Sequence, residues 1–164
     1  MKLKVTSRSP GDTNDMGKKF SEILGPGDVI LLSGELGGGK TTFIGGIAFG
    51  LGIKEELTSP SFTIINEYPM GRKKFIHADL YRIDGVTEIE QLGISDYLYD
   101  RKNIVCIEWG DKLAEFLEKD FLLVDFKYDI DAEEKRKLAF SSSSGYWDSK
   151  LEKFKKILGR HCFF

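Results

Sequence analysis

A glycine-rich segment at residues 34–41, Gly-Glu-Leu-Gly-Gly-Gly-Lys-Thr, most constrains how this chain folds. It satisfies the pattern G-x-x-x-x-G-K-[ST], which is typical of phosphate-binding loops when a strand precedes it and a helix follows. An unbroken apolar run at residues 29–32 comes directly before the segment, and apolar residues recur at helical spacing over residues 43–51. The sequence therefore predicts a buried strand, a phosphate-binding loop and a helix, in that order.

The residue types in this segment fit the chemistry of a triphosphate. Glycines let the backbone turn its N–H groups toward phosphate oxygens, and the following helix points its positive end at them. Lys40 is expected to reach the outer phosphates as a point charge, and Thr41 is expected to offer its hydroxyl to Mg²⁺. We therefore predict that the chain binds a nucleoside triphosphate together with Mg²⁺.

The rest of the sequence favours ATP as the nucleotide and hydrolysis as the reaction. Guanine-specific switch proteins carry Asn-Lys-x-Asp and Asp-x-x-Gly, and neither pattern occurs in the 164 residues. A small-molecule kinase usually brings several arginines to neutralise the transferred phosphoryl group. The six arginines of this chain are scattered, so a P-loop kinase is the less favoured alternative.

Strand patterns predict a mixed sheet. Two antiparallel hairpins are predicted from runs rich in β-formers, at residues 61–68 with 73–83 and at 121–128 with 135–140. A further buried strand is predicted at residues 103–109. Because hairpins pair antiparallel while the strand before the glycine-rich segment leads into a helix, the sheet is expected to contain both kinds of pairing.

Several helices are predicted in addition to these strands. Apolar spacing predicts a helix that begins near Met16 and ends by Leu24. Thr87, with a glutamate three residues later, predicts a capping box, and Ser95 is expected to begin another short helix. A last amphipathic helix is expected to end at Gly159.

Composition fits one folded domain. Hydrophobic residues make up 41% and charged residues 30% of the chain, which excludes the polar composition of disordered proteins. We predict a single α/β P-loop NTPase domain over residues 1–164, with a mixed central sheet and flanking helices. The formal net charge of -2 gives no global attraction to nucleic acid or membrane. Cys106 and Cys162 suggest no disulfide framework, and no apolar stretch fits a signal peptide or a membrane span, so a cytoplasmic location is expected.

Two acidic residues are candidates for the magnesium site. An ATPase of this type needs a second carboxylate near Mg²⁺, commonly at the end of a neighbouring buried strand. Glu108 closes an apolar run, and Asp79 lies late in a predicted hairpin strand. Either residue, taken alone, is equally compatible with a solvated strand end.

Four motifs in this order and spacing resemble the TsaE family. They are the glycine-rich segment extended to residues 34–42, Ser-Pro-Ser-Phe-Thr at 59–63, His-Ala-Asp-Leu-Tyr-Arg at 77–82, and Glu-Trp at 108–109. The resemblance covers the chain from Thr13 to about Arg136. It implies a small P-loop ATPase, dependent on Mg²⁺, that is required for threonylcarbamoyladenosine (t6A) modification of tRNA.

The resemblance also implies partners. In that family TsaD performs the transfer to tRNA, while the ATPase docks on the TsaB–TsaD pair and supports repeated turnover by hydrolysing ATP. Contact with tRNA is then indirect, through the complex, and no membrane partner is expected. An alternative from a different class stays open: a nucleotide-dependent binding module whose hydrolysis is incidental.

Carried over by motif, the resemblance implies a set of site residues. Lys40, Asp79 and Glu108 form the catalytic set, with Asp79 close to the γ-phosphate, and Thr41 and Glu108 hold Mg²⁺. The nucleotide is expected to contact Thr13, Gly34, Glu35, Leu36, Gly37, Gly38, Gly39, Lys40, Thr41, Thr42, Trp109 and Arg136. For Trp109, packing in the core is an open alternative. His77 is interpreted as a hydrogen-bonded structural residue.

Overall fold

The structure is a computed structural model that describes residues 1–129 and 132–159. The strands are β1 (Lys2–Ser7), β2 (Val29–Gly34), β3 (Ile65–Met70), β4 (Lys73–Asp79), β5 (Asn103–Glu108), β6 (Leu122–Asp129) and β7 (Ala132–Ser142). The helices are α1 (Pro10–Ser21), α2 (Lys40–Gly50), α3 (Val86–Gln91), α4 (Ile94–Tyr99) and α5 (Gly145–Leu158), with a 3-10 helix at Gly110–Leu113. Cys162 lies outside the described residues. Within those residues, no helix is long and apolar enough to cross a membrane.

All seven strands form one sheet, in the order β1-β7-β6-β2-β5-β4-β3. The central strand β2 runs parallel to both β5 and β6, and β4 runs parallel to β5. The pairs β3–β4, β6–β7 and β1–β7 are antiparallel. The predicted α/β fold with a mixed sheet is confirmed, and so are both predicted hairpins.

Each face of the sheet buries its own apolar cluster. One cluster joins β2 to α1, α2 and α5, and the other joins β2 to α3 and α4. Side chains alternate between the faces along a strand, so His77 and Asp79 share the α2 face with Phe75, and Glu108 shares it with Cys106. The two candidate carboxylates therefore face the helix that follows the glycine-rich segment.

Helices α1 and α2 pack with their backbones in direct contact. A Cβ atom added at Gly17 would lie 2.1 Å from the carbonyl oxygen of Phe43, and one added at Gly46 would lie 2.0 Å from the carbonyl oxygen of Asn14. Only glycine fits at such a close approach. The position of α2, including its first turn at Lys40, is therefore set against α1 by backbone atoms.

The short helices begin elsewhere than predicted. The capping box at Thr87 is wrong, because Gly85 is the N-cap of α3 and makes no side-chain cap. The short helix predicted to begin at Ser95 is confirmed as α4, but it begins one residue earlier, after the N-cap Gly93 with a φ of 66°. The Glu88 carboxylate in α3 accepts a hydrogen bond from the backbone N–H of Asp84 at 3.3 Å. An acidic side chain inside the helix therefore pairs with a backbone donor that precedes the helix.

The bounds of three other elements also differ from the prediction. Strand β3 begins at Ile65 rather than at residue 61 and continues through Pro69, which is tolerated because β3 lies at the edge of the sheet. Residues 61–63 form a turn instead, which leads to Ile64 with a φ of 67°. Strand β4 ends at Asp79 rather than at residue 83, and α1 ends at Ser21 rather than at Leu24. The helix α5 ends before Gly159, as predicted.

Candidate functional site

The glycine-rich loop, residues 34–41, connects the central strand β2 to helix α2. Gly34, Gly37 and Gly39 have φ values of 119°, 73° and 101°, a region that other residues rarely adopt. A Cβ atom at Gly34 would also lie 2.2 Å from the carbonyl oxygen of Phe126, so the loop passes close to β6. The predicted strand–loop–helix order is therefore confirmed, and its glycines have a steric reason.

The first turn of α2 is open to an anion. Its N-cap, Gly39, has no side chain to accept the first N–H groups, and the turn contains no acidic residue. A helix N-terminus carries partial positive charge from its unpaired N–H groups. The loop therefore presents backbone donors and a positive helix end together.

Lys40 is held against the loop itself. Its side chain is buried, and the Nζ atom donates to the carbonyl oxygens of Gly34 at 2.6 Å and Glu35 at 2.8 Å. The ammonium also lies 4.3 Å from the centre of the Trp109 ring. Burial lowers the pKa of Lys40, while Glu108, Asp79 and Asp111 oppose that shift. Negative charge from three carboxylates therefore acts at the position of this ammonium.

Glu108 is the centre of a buried polar cluster. Its Oε1 atom accepts a hydrogen bond from the Thr41 hydroxyl at 2.8 Å and lies 2.8 Å from Nε2 of His77. The three residues come from α2, β5 and β4, which meet because β5 runs beside both β2 and β4. The alternative of a solvated strand end is wrong for Glu108, which is 4% exposed.

Asp79 lies beside Glu108 in the sheet, since the two residues are paired in the β4–β5 register. Its Oδ2 accepts the Ser59 hydroxyl at 2.9 Å, and its Oδ1 accepts the Tyr81 N–H at 2.9 Å. Ser59 also pairs with the hydroxyl of Ser61 at 3.0 Å. Asp79 is buried, so a solvated strand end is wrong here as well. The two motif segments at residues 59–63 and 77–82 are thus joined through one carboxylate.

A cavity of about 260 Å³ collects these groups. Its lining combines the loop, both carboxylates and the Ser59–Ser61 turn: Leu36, Gly37, Gly38, Gly39, Lys40, Thr41, Ser59, Ser61, Asp79, Tyr81, Glu108 and Trp109. Gly34 and Glu35 line a neighbouring cavity of about 630 Å³ that shares Trp109. The structure therefore brings the predicted catalytic set together, and the binding roles of its members stay predictions.

Three other predicted residues lie at the border of the loop. The methyl carbon of Thr13 would be 3.6 Å from a Cβ atom at Gly39. Arg136 donates to the Gly37 carbonyl at 3.5 Å and stacks on Tyr128 at 4.3 Å. Thr42 accepts at its carbonyl from Asn14 at 3.4 Å. Thr13 and Arg136 thus lie near the loop but outside the 260 Å³ cavity.

Trp109 packs in the core and also lies beside the candidate site. It has a left-handed backbone, with a φ of 58°, and its half-buried side chain packs against the second apolar cluster. The same ring lies over the Lys40 ammonium and is 5.1 Å from the ring of Tyr81. Core packing and proximity to the site are therefore not alternatives here.

Sequence reasoning missed three contacts. His77 is hydrogen-bonded, as interpreted, but its partner is the predicted magnesium ligand Glu108. Ser59 belongs to the Ser-Pro-Ser-Phe-Thr motif, but no sequence pattern indicates its contact with Asp79. Tyr128, whose hydroxyl donates to the Leu36 carbonyl at 2.6 Å, was not singled out at all. The alternation along β6 offered the only signal for Tyr128, because it places Tyr128 on the face of Phe126.

Thr41 and Glu108 offer ligands that Mg²⁺ prefers, a hydroxyl and a carboxylate oxygen. Among the described residues, no group of three or more His, Cys, Asp or Glu side chains could hold a metal ion. Mg²⁺ in nucleotide sites is usually held by one or two carboxylates plus substrate phosphates. The donors here therefore fit a cation that arrives with a nucleotide.

Fold and site together define a class: α/β proteins in which a glycine-rich loop joins the central strand of a mixed sheet to an open helix N-terminus, beside buried strand-end carboxylates. The family described as threonylcarbamoyl adenosine biosynthesis protein TsaE matches residues 7–138. The chain belongs to the TsaE family.

Relatives and a solved structure agree with this assignment. The chain is 35% identical over 159 residues to the tRNA threonylcarbamoyladenosine biosynthesis protein TsaE of Bacillus subtilis, covering 97% of this chain and 95% of the relative. It is 38% identical over 115 residues to the Treponema pallidum protein of the same name, covering 70% and 84%. The crystal structure of Bacillus subtilis YdiB has a TM-score of 0.78 at 29% identity, covering 95% of each chain.

Proposed function

We propose that this chain binds Mg²⁺–ATP in the 260 Å³ cavity and hydrolyses it in support of tRNA t6A biosynthesis, acting with a TsaB–TsaD pair. The pathway is inferred from the names of the relatives, and the pair from the family resemblance. The observation that carries the proposal is the meeting of an uncapped helix N-terminus, Lys40 and two buried carboxylates at one edge of the sheet.

The loop would bind the nucleotide phosphates. Backbone N–H groups and the positive end of α2 attract them, as at other helix N-termini. Lys40 already lies in the loop, and binding requires that its ammonium exchange the carbonyls of Gly34 and Glu35 for phosphate oxygens. The burial that lowers the pKa of Lys40 also makes this exchange favourable, because a charged partner compensates a desolvated ammonium better than carbonyls do.

The carboxylates would divide two tasks. Thr41 and Glu108 would hold Mg²⁺, which, when bound, neutralises charge on the phosphate oxygens. Asp79 would orient the attacking water through a lone pair left free by its hydrogen bonds to Ser59 and to the Tyr81 N–H. Both carboxylates are buried close to the loop, which strengthens their electrostatic attraction for the cation that accompanies the phosphates.

One observation favours the alternative of a nucleotide-dependent binding module. Each Asp79 oxygen already accepts one hydrogen bond, from Ser59 or from the Tyr81 N–H, which makes the carboxylate a weaker proton acceptor although lone pairs remain. Hydrolysis would then be slow in the isolated chain and would depend on a partner that rearranges residues 59–63. A kinase is less supported, since no arginine is among the described residues lining the 260 Å³ cavity.

The experiment is an ATPase assay on the purified chain, with and without the TsaB–TsaD counterparts, alongside an assay of t6A formation on tRNA. With threonylcarbamoyl-adenylate supplied as the donor in every reaction, the proposal expects Mg²⁺-dependent hydrolysis and multiple-turnover t6A formation only when chain, pair and ATP are all present. The matched control replaces ATP with a non-hydrolysable analogue. If the analogue supports as many turnovers as ATP, the binding-module alternative holds and hydrolysis is incidental. If the chain neither binds ATP nor changes t6A formation, the proposal is wrong.

A further inference from the structure

We propose that His77 is a positioning residue that holds the Glu108 carboxylate in place for Mg²⁺. This inference rests on the proposed function, since it assigns a second layer of support to the same site. It gives a task to a buried polar side chain whose only interpretation from sequence was structural.

The geometry points at one oxygen. His77 Nε2 and Thr41 Oγ1 each lie 2.8 Å from Glu108 Oε1. A carboxylate can only accept hydrogen bonds, so the hydrogen shared with His77 lies on Nε2. The register His77↔Cys106 in the β4–β5 ladder places the ring two residues before the Asp79↔Glu108 pair, on the same face of the sheet. His77 therefore approaches Glu108 diagonally across two neighbouring parallel strands.

His77 is fully buried, and its ring forms a hydrogen bond with Glu108. The ring is 0% exposed, and its Nδ1 atom is buried without a hydrogen-bond partner in the described part of the chain. Burying a polar ring costs free energy that an apolar ring of similar size would avoid. The contact between Nε2 and Glu108 is the one hydrogen bond shown to compensate that cost.

The second hydrogen bond to Oε1 makes the role of His77 specific. Thr41, the other donor, is also the residue whose hydroxyl oxygen would face the cation. When that oxygen coordinates Mg²⁺ through a lone pair, its O–H can still donate to Glu108, but the cation then also fixes where the hydroxyl lies. His77 takes no part in binding phosphate or cation and can keep the carboxylate oriented throughout. Such outer partners commonly fix the orientation of ligands around metals.

Two substitutions of His77 distinguish the effect of its hydrogen-bond donor at Nε2 from the effect of its side-chain volume. The amide nitrogen of glutamine reaches about as far from the backbone as histidine Nε2, whereas that of asparagine reaches only as far as Nδ1. His77→Gln should therefore keep the hydrogen bond to Glu108, and His77→Asn should lose it. Ile76→Val, on the opposite face of β4, is the matched control for loss of packing near the same strand.

The measurement is the affinity for a non-hydrolysable ATP analogue by calorimetry, first in EDTA and then over a series of Mg²⁺ concentrations. The Mg²⁺ midpoint is the Mg²⁺ concentration at which half of the Mg²⁺-dependent increase in nucleotide affinity is reached. We expect His77→Asn to raise this midpoint about 10-fold, because loss of a residue that supports a metal ligand commonly has that effect. We expect His77→Gln to stay within about twofold of the wild type by the same reasoning. Affinity in EDTA, and all values for Ile76→Val, should stay near wild type.

The outcomes are separable. A folded His77→Asn variant with the wild-type Mg²⁺ midpoint would overturn the role of His77 and leave the proposed function intact. A folded His77→Gln variant with a midpoint as shifted as that of His77→Asn would also overturn it, and this arm decides if the asparagine variant does not fold. A wild-type chain whose nucleotide affinity ignores Mg²⁺ would instead overturn the proposed function and, with it, this inference.

Discussion

Asp28 and Glu108 are two buried carboxylates at opposite ends of the central strands. Asp28, just before β2, pairs with the Lys150 ammonium and accepts from the Tyr146 hydroxyl at 2.7 Å and the Gly25 N–H at 2.8 Å. Glu108, at the end of β5, is held by a hydroxyl and an imidazole instead. In the described chain no lysine or arginine forms an ion pair with Glu108.

The difference separates a structural carboxylate from one that is ready for a ligand. At Asp28 the charge is already compensated by Lys150, and burial together with the hydrogen bond to Asp28 raises the pKa of Tyr146. At Glu108 the donors fix the orientation while the negative charge stays available to an incoming cation. The partner that compensates the charge of a buried carboxylate therefore indicates whether its role is structural or ligand-binding.

The largest expected effect is on stability, at the Asp28 end. Asp28→Asn leaves Lys150 without its anionic partner in a setting where that side chain is only 14% exposed. Breaking such a buried pair should lower the free energy of unfolding by about 3 kcal/mol. Urea denaturation followed by circular dichroism measures it, and ATP affinity of the folded variant should not change. A loss below about 1 kcal/mol would mean that the Asp28–Lys150 pair contributes no more than an exposed ion pair, which would weaken the contrast with Glu108.

The next effect is on nucleotide binding, through Lys40. Lys40→Ala leaves backbone N–H groups to face the phosphates without their mobile cation, so ATP affinity should fall about 100-fold. Stability should change little, because burial already disfavours the charged form of Lys40. Nucleotide titration at matched salt and Mg²⁺ measures the affinity, with Lys153→Ala on the exposed face of α5 as the control. An unchanged dissociation constant would remove the phosphate-loop assignment.

Asp79→Asn should affect the rate alone. If Asp79 orients the attacking water, the maximal hydrolysis rate should fall about 100-fold, which is the low end of general acid–base contributions. ATP affinity and Mg²⁺ requirement should stay near wild type, since the amide keeps the shape of the side chain. Steady-state kinetics with the TsaB–TsaD pair present, together with nucleotide titration, separates the two. Equal losses in affinity and rate would make Asp79 a structural clamp for Ser59.

The smallest effect sharpens the contrast at Glu108. Glu108→Gln keeps the size of the side chain and loses the charge, so the Mg²⁺ requirement should rise about 30-fold, as expected for one charge-assisted contact. Unlike Asp28→Asn, it should hardly change the urea midpoint, because in the described chain no lysine or arginine forms an ion pair with Glu108. Mg²⁺ titration of hydrolysis tests the first expectation. A fall in stability as large as that of Asp28→Asn would make the two carboxylates alike and the comparison wrong.

The sequence was most informative where the structure depends on neighbours along the chain. The glycine-rich loop, its strand and its helix are local, and steric need for positive φ fixes glycines at Gly34 and Gly39. Glu108 at a strand end could be singled out because its strand is buried on both faces and reads as an unbroken apolar run. Both hairpins were predictable for the same reason, since each consists of adjacent segments.

What could not be predicted depends on the order and register of strands. The contact between His77 and Glu108 needs β4 beside β5 in one particular register, which no local pattern encodes. The Ser59–Asp79 contact spans 20 residues and depends on the turn before Ile64. The capping errors have a different cause. Threonine and glycine are about equally good N-caps, so the local pattern could not decide between Thr87 and Gly85, and Gly85 is the N-cap of α3.

The glycine contact between α1 and α2 has a consequence for engineering this chain. Where side chains such as Phe20 and Phe43 meet, a substitution can be absorbed by new rotamers, but Gly17 and Gly46 meet backbone and leave nothing to rearrange. This helix pair is therefore the part to keep unaltered in a library or a fusion. Gly71, in the turn between β3 and β4, has no atom within 4 Å of an added Cβ, and that turn is where a tag or an inserted sequence should be placed.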